Sequence, residues 1–170
     1  MTAGAFVVGG PVPGPGPWLR TVTEEDQARL VEWRTACRHA FFRQEPIDGE
    51  GQRLWFRGYR DRPEDFLFAV MEGGEAVGCL GVRLLDGGWD VYNVIRGRRT
   101  PGSRGFMGRA LEMAVAFARE RRERPVGLVV LAGNPAEQWY RRHGFVATGR
   151  DPECVTMEWV GPAEGGRAAG

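Results

Sequence analysis

The sequence predicts an α/β domain on a mixed, mostly antiparallel twisted central sheet of about seven strands. Three observations carry that expectation. Apolar segments at Phe66 to Met71, Ala76 to Leu84 and Trp89 to Ile95 are separated by Glu72-Gly-Gly-Glu75 and Asp86-Gly-Gly88, whose composition is that of hairpin turns, so the three form an antiparallel meander. The apolar period then changes, with Ala110, Leu111, Ala114, Phe117 and Ala118 on one face of a helix from about Met107 to Arg121. After it the pattern returns to strands at Val126 to Leu131, near Phe145 to Thr148, and at Cys154 to Trp159.

The remaining elements follow in order. Residues 1–17 hold five Gly and four Pro, which suppress helix and strand and predict a flexible leader. The tail over 161–170 is similarly poor in core-forming residues, which leaves a single domain over 18–160. Trp18 to Val22 alternates like a strand. Thr23 then reads as a helix cap, and Leu30, Val31, Trp33, Ala36, Cys37 and Ala40 recur at helical spacing as far as about Phe41. A second helix is expected over about Glu50 to Tyr59 and a short one from Pro135.

Composition narrows the function. A content of 42% apolar and 11% aromatic residues suits a packed core. Twenty-three basic residues, all Arg, against 22 acidic ones give a net charge of +1, so no global field draws the chain to nucleic acid or an anionic membrane. Cys37, Cys79 and Cys154 are widely spaced without a CxxC or Cys/His cluster, so neither a disulfide framework nor a metal site is expected. Ala5 to Val8 is too short for a signal peptide, and no apolar run reaches the ~18 residues of a membrane span. A soluble, cytoplasmic protein is expected.

Two constellations point to chemistry. From Arg96 to Gly108 the chain passes from a strand into a helix through a loop with Gly102, Gly105 and Gly108. Small residues there let a ligand approach the backbone, and the helix start offers unpaired amides with partial positive charge, which suits a pyrophosphate. Arg98, Arg99, Arg104 and Arg109 can add charge-assisted hydrogen bonds. A plain strand-to-helix connection has the same composition. There is no GxxxxGK[ST], and no GxGxxG with a following acidic residue, so a nucleoside triphosphate or dinucleotide loop is excluded. The second constellation is Gly133-Asn-Pro-Ala-Glu-Gln-Trp-Tyr-Arg-Arg-His-Gly-Phe145, in which Asn134 caps a helix, Pro135 opens it and Gly144 closes it.

These two segments, in this order and at this separation, resemble the pyrophosphate-binding motif and the motif after the fifth strand in GNAT acyltransferases. The order of elements from Leu19 to Trp159 is similar to theirs. Two departures stand out. Ser103 takes the loop's first position and Phe106 stands where a middle glycine is usual, while Asn134 lies six residues before Tyr140, one fewer than is common.

The resemblance implies helices on both sheet faces and an N-acyltransferase that moves an acetyl or other short acyl group from acyl-CoA to a primary amine. The acceptor would be a small molecule, amino sugar or peptide N-terminus, attacking directly in a ternary complex. It implies acetyl-CoA or another short acyl-CoA as co-substrate, no metal, and a monomer or homodimer. Strands Trp89–Ile95 and Val126–Leu131 would splay and leave an amide near Val94 free for the thioester oxygen. Val94, Ile95, Arg99, Arg104, Gly105, Phe106, Met107, Gly108, Arg109 and Asn134 would bind the cofactor. Tyr140 would protonate the departing thiolate and Asp90 would accept the amine proton, directly or through water. Trp33, Phe41, Phe42, Tyr92 and Asn93 would face the acceptor, with Tyr92 and Asn93 alternating so that one of the two enters the cleft. His143 reads as a surface residue at the helix end, and His39 as a lesser base candidate. A non-catalytic acyl-CoA-binding module with the same fold is the alternative.

Overall fold

The computed structural model describes residues 5–9 and 16–163. The described elements are β1 (Val7–Val8), β2 (Trp18–Thr21), α1 (Gln27–Ala36), α2 (Gly49–Arg60), β3 (Asp65–Glu72), β4 (Glu75–Leu85), β5 (Gly88–Arg96), α3 (Phe106–Arg121), β6 (Val126–Leu131), α4 (Ala136–Arg142), β7 (Phe145–Arg150) and β8 (Cys154–Trp159). Short 3-10 turns flank α1 at Glu24–Asp26 and Arg38–Ala40, so the first helix is shorter than the expected run to Phe41. Of the expected leader, 1–4 and 10–15 lie outside the described residues, as does 164–170 of the tail. Within the leader, Val7–Val8 pair with β2, and the Phe6 ring sits 5.2 Å from that of Phe66.

The strands form one sheet in the order β1-β2-β3-β4-β5-β6-β8-β7. All neighbours are antiparallel except β5 and β6. Alternation along β3 distributes its side chains to two cores. Phe66, Phe68 and Val70 join α3 on one face, while Leu67, Ala69 and Met71 join α1 and α2 on the other. Helices therefore cover both faces.

Local chemistry explains the joints. Arg20 grips Asp26 with both terminal nitrogens, at 2.6 and 2.9 Å, and Asp26 accepts from the Thr23 amide at 2.7 Å, which ties β2 to the entry of α1. Asp48 caps α2 by accepting from the Gly51 amide at 2.6 Å. Where β5 ends, α1 approaches so closely that a Cβ on Gly97 would stand 1.9 Å from the Trp33 indole.

That last contact is testable. Gly97→Ala should destabilise the fold by about 1–3 kcal/mol through overpacking. Thermal unfolding followed by circular dichroism should show Tm several degrees lower. An unchanged Tm would mean that α1 is not held against β5 as described.

Candidate active site

A cleft of about 1220 Å³ runs across the sheet from the loop between α1 and α2, along β5, to the start of α4. Its floor is a fault in the sheet. The parallel pairing of β5 with β6 consists of Trp89 with Val126 and Asp90 with Gly127, and goes no further. Beyond those pairs β6 stays with β8 as far as Leu131, while β5 stays with β4. The facing edges are thus without each other's hydrogen bonds, as expected for two splayed strands.

A bulge in β5 accompanies the parting. Tyr92 pairs with Gly81 and Ile95 with Cys79, so Asn93 and Val94 together oppose Leu80. Asn93 takes a left-handed conformation, φ 49°, which asparagine tolerates better than most residues. The bulge reverses the strand's faces. Trp89 and Val91 belong to the α3 core and Tyr92 packs on the α1–α2 side, yet past Asn93 it is Val94 that packs with α3 and Ile95 with α1.

At the loop from Gly97 to Gly105, the three glycines have different reasons to be there. Only Gly105, left-handed at φ 78° and just before α3, faces open space. A Cβ on Gly102 would lie 2.7 Å from the Glu72 carboxylate, which accepts a hydrogen bond from the Thr100 hydroxyl, and a Cβ on Gly108 would lie 2.5 Å from the His143 imidazole. Two of the three expected ligand-clearing glycines therefore serve packing. No side chain caps the start of α3, leaving its first amides unclaimed by a side-chain acceptor. Arg98 pairs loosely with Glu75 at 3.3 Å. Among the described residues Arg99, Arg104 and Arg109 form no ion pair. All three are exposed around the same turn, with Arg109 stacked 5.0 Å over the Phe106 ring; Phe106 and Met107 themselves are core residues.

Tyr140 reaches the cleft from α4 with its ring packed against Phe145 and Trp139. Burial pushes its phenol well above the ordinary value, so it stays protonated at any working pH. Asn134 also lines the cleft, but its side-chain oxygen accepts from the Ala136 amide at 2.9 Å and so caps α4. Asp90 stands where the two strands begin to part and binds Arg83 at 2.8 Å. Burial raises its carboxyl above the usual aspartate range, against the pull of the Arg83 guanidinium.

Over residues 18–146 the sequence matches the family described as Acetyltransferase (GNAT) domain. The chain belongs to the GNAT acetyltransferase family. Its structure is similar to a ribosomal-protein-alanine N-acetyltransferase from Brucella melitensis, with TM-score 0.69 at 21% identity over 84% of this chain and 98% of that one. It is also similar to a spermidine N-acetyltransferase from Vibrio cholerae in complex with CoA and spermine, with TM-score 0.67 at 16% identity over 85% and 95%. A nucleotide-linked sugar GNAT, apo FdhC, gives TM-score 0.72 at 14% identity over 94% and 89%. At these identities the likeness is one of fold. No curated protein matches the sequence.

The half of the cleft lined by α1, the loop after it and β5 differs in detail from the sequence expectation. Tyr92 and Asn93 both line it, because the bulge breaks the alternation that would have turned one away. Phe41 and Phe42 line it as expected, whereas Trp33 does not: its indole is buried beneath Gly97. The Tyr92 hydroxyl donates to Asp65, and its ring covers Gly81. His143 is not a free surface residue, since it packs between Trp139 and Gly108 and meets Glu112 at 3.2 Å. His39 is exposed and is not part of the cleft lining. Sequence reasoning missed Arg83 and Asp65 as partners of Asp90 and Tyr92, and missed Arg34, which donates to Asn93 at 2.6 Å. Strand alternation alone carried the signal for Arg83, which sits on β4 directly opposite Asp90 of β5.

The pairing with Arg83 opposes the rise that burial imposes on Asp90. Removing the guanidinium with Arg83→Met should raise the Asp90 pKa further, read from the pH dependence of its carboxyl carbon chemical shift. A pKa that stays put would show that Arg83 does not stabilise the carboxylate.

Proposed function

We propose that the protein is an N-acyltransferase that moves an acetyl or other short acyl group from acyl-CoA to a primary amine by direct attack in a ternary complex. The observation that carries this reading is the continuous cleft joining the α1–α2 loop, the gap between β5 and β6, and Tyr140. In that gap an amide near Val94 would hold the thioester oxygen as negative charge builds on it. The amine nitrogen bonds to the carbonyl carbon, the carbon–sulfur bond breaks, and the sulfur takes the Tyr140 proton. Asp90 receives the proton lost from the amine. Asp90 lies four residues before Val94 on β5, so we assign that transfer to a water chain.

The diphosphate of acyl-CoA would lie at the open turn of Gly105, on the first amides of α3, with Arg99, Arg104 and Arg109 around it. The uncapped helix start and three arginines without ion pairs suit that role. Among the described residues no helix is long and apolar enough to cross a membrane, and no cluster of side chains suits a metal ion. We assign the activity to the cytoplasm, with a small-molecule or peptide amine as acceptor. The non-catalytic alternative leaves a dry phenol poised at the gap without a use, which favours the enzyme.

Two variants separate the roles. Tyr140→Phe should lower kcat by about 10²-fold or more while leaving acetyl-CoA binding nearly intact by calorimetric titration. Because His143 fills the space above Gly108, charge reversal is better placed at exposed positions. Arg104→Glu combined with Arg109→Glu should weaken acetyl-CoA binding about tenfold or more. Wild-type protein giving no heat at millimolar acetyl-CoA would end the proposal.

A further inference from the structure

We infer that the acceptor amine carries an anionic group, a carboxylate or a phosphate, a few bonds from its nitrogen, and that Arg34 binds it. This deepens the transferase reading and rests on it.

Arg34 projects from α1 into the cleft. A guanidinium has five N–H donors. Among the described residues one terminal nitrogen donates to the Asn93 side-chain oxygen at 2.6 Å and the other makes a long contact to the Arg43 carbonyl at 3.4 Å. Its flat face lies 3.5 Å over the Phe41 ring. It forms no ion pair with any described carboxylate, although it is half-buried. Burial pulls its pKa down, and no described Asp or Glu acts against that.

A cation taken partly out of water without a counter-charge is costly. The other clefts of charge here are settled internally: Arg83 has Asp90 and Arg62 has Asp65. Arg43 also forms no ion pair among the described residues, but it is exposed, so Arg34 is the half-buried cleft cation whose charge is left for an outside partner. The lining as a whole agrees, since it contains Arg34, Arg43, Arg62 and Arg83 against Asp48 and Asp90. Of the acidic residues between Phe41 and Gly51, Glu45 and Glu50 are exposed and do not line it, while Asp48 does line it and is engaged in capping α2.

Position sets the size of the acceptor. Arg34 is fixed to Asn93, the residue beside Val94, so its free donors lie near the gap that would hold the thioester. An anion seated there sits close to the reacting nitrogen, as in a free amino acid or a phosphorylated amino sugar. Phe42, Ile47 and Trp55 supply an apolar wall for the rest of the molecule.

The test is thiol release at saturating acetyl-CoA with matched acceptors: phenylalanine against phenylalaninamide, glucosamine 6-phosphate against glucosamine, and spermidine as a polycation. At least one acidic member should exceed its neutral partner in kcat/KM by about tenfold or more, a charge-assisted preference. Whichever pair shows it tells carboxylate from phosphate. Arg34→Gln should erase the preference, chiefly through KM, and cost the neutral partner much less, while Arg34→Lys should restore part of it. Preference for spermidine or the neutral members overturns the inference, as does an Arg34→Gln loss equal for both members of a pair, which would mark a purely structural role. Should no acceptor turn over although acetyl-CoA binds, calorimetry of N-acetylphenylalanine against its amide on the CoA complex decides. Tighter binding of the acid supports the inference, and equal or absent heats overturn it. Failure to bind acetyl-CoA removes the transferase reading and this inference with it.

Discussion

Between Asp90 and Val94 the fifth strand loses one neighbour and turns over, and the cleft depends on that change. Two residues of β5 face one of β4 at this point, with Asn93 in a left-handed conformation. The extra residue rotates the strand by half a turn, so side chains that faced α3 give way to side chains that face α1. Meanwhile β6 continues beside β8 without interruption. One strand bends and the other does not, and a gap opens where a parallel pair would otherwise close. Backbone groups at such a gap need partners from water or a ligand.

The two cores keep the gap open. α3 holds one face through residues such as Ala110, Leu111 and Ala114, and α1 and α2 hold the other through Leu30, Trp33 and Phe56. Tight approaches lock this arrangement, as with Trp33 on Gly97 and His143 on Gly108, where any larger residue would force the elements apart.

Charge inside the cleft is mostly settled by pairs that the strands themselves create. Asp90 and Arg83 face each other across β4 and β5, and Tyr92 of β5 reaches over β4 to Asp65 of β3. Burial acts on each in the same sense, raising Asp90, Tyr92 and Tyr140 above their ordinary values and Cys79 to about 12. The phenols are thereby kept as acids and the Cys79 thiol is kept inert. Arg34 stands outside this pattern, since burial weakens its hold on a proton and no carboxylate among the described residues strengthens it.

Much of the architecture was legible in the sequence because it rests on short-range rules. Glycine pairs marked the hairpins of the meander, the 3.6-residue period marked α3, and Asn134 with Gly144 bounded α4, all within a residue or two of the structure. The order of these elements and the two spaced motifs were enough to indicate the GNAT family, and they led to a gap between β5 and β6. Tertiary structure decided what depends on chain segments meeting from a distance. Alternation alone cannot show that a bulge will bring both Tyr92 and Asn93 into the cleft, that Gly102 and Gly108 make room for Glu72 and His143, or that Trp33 is buried while its neighbour Arg34 reaches the cleft. Each of those outcomes is set by a partner 30 or more residues away or by a shift in strand register, and neither leaves a periodic trace in the local sequence.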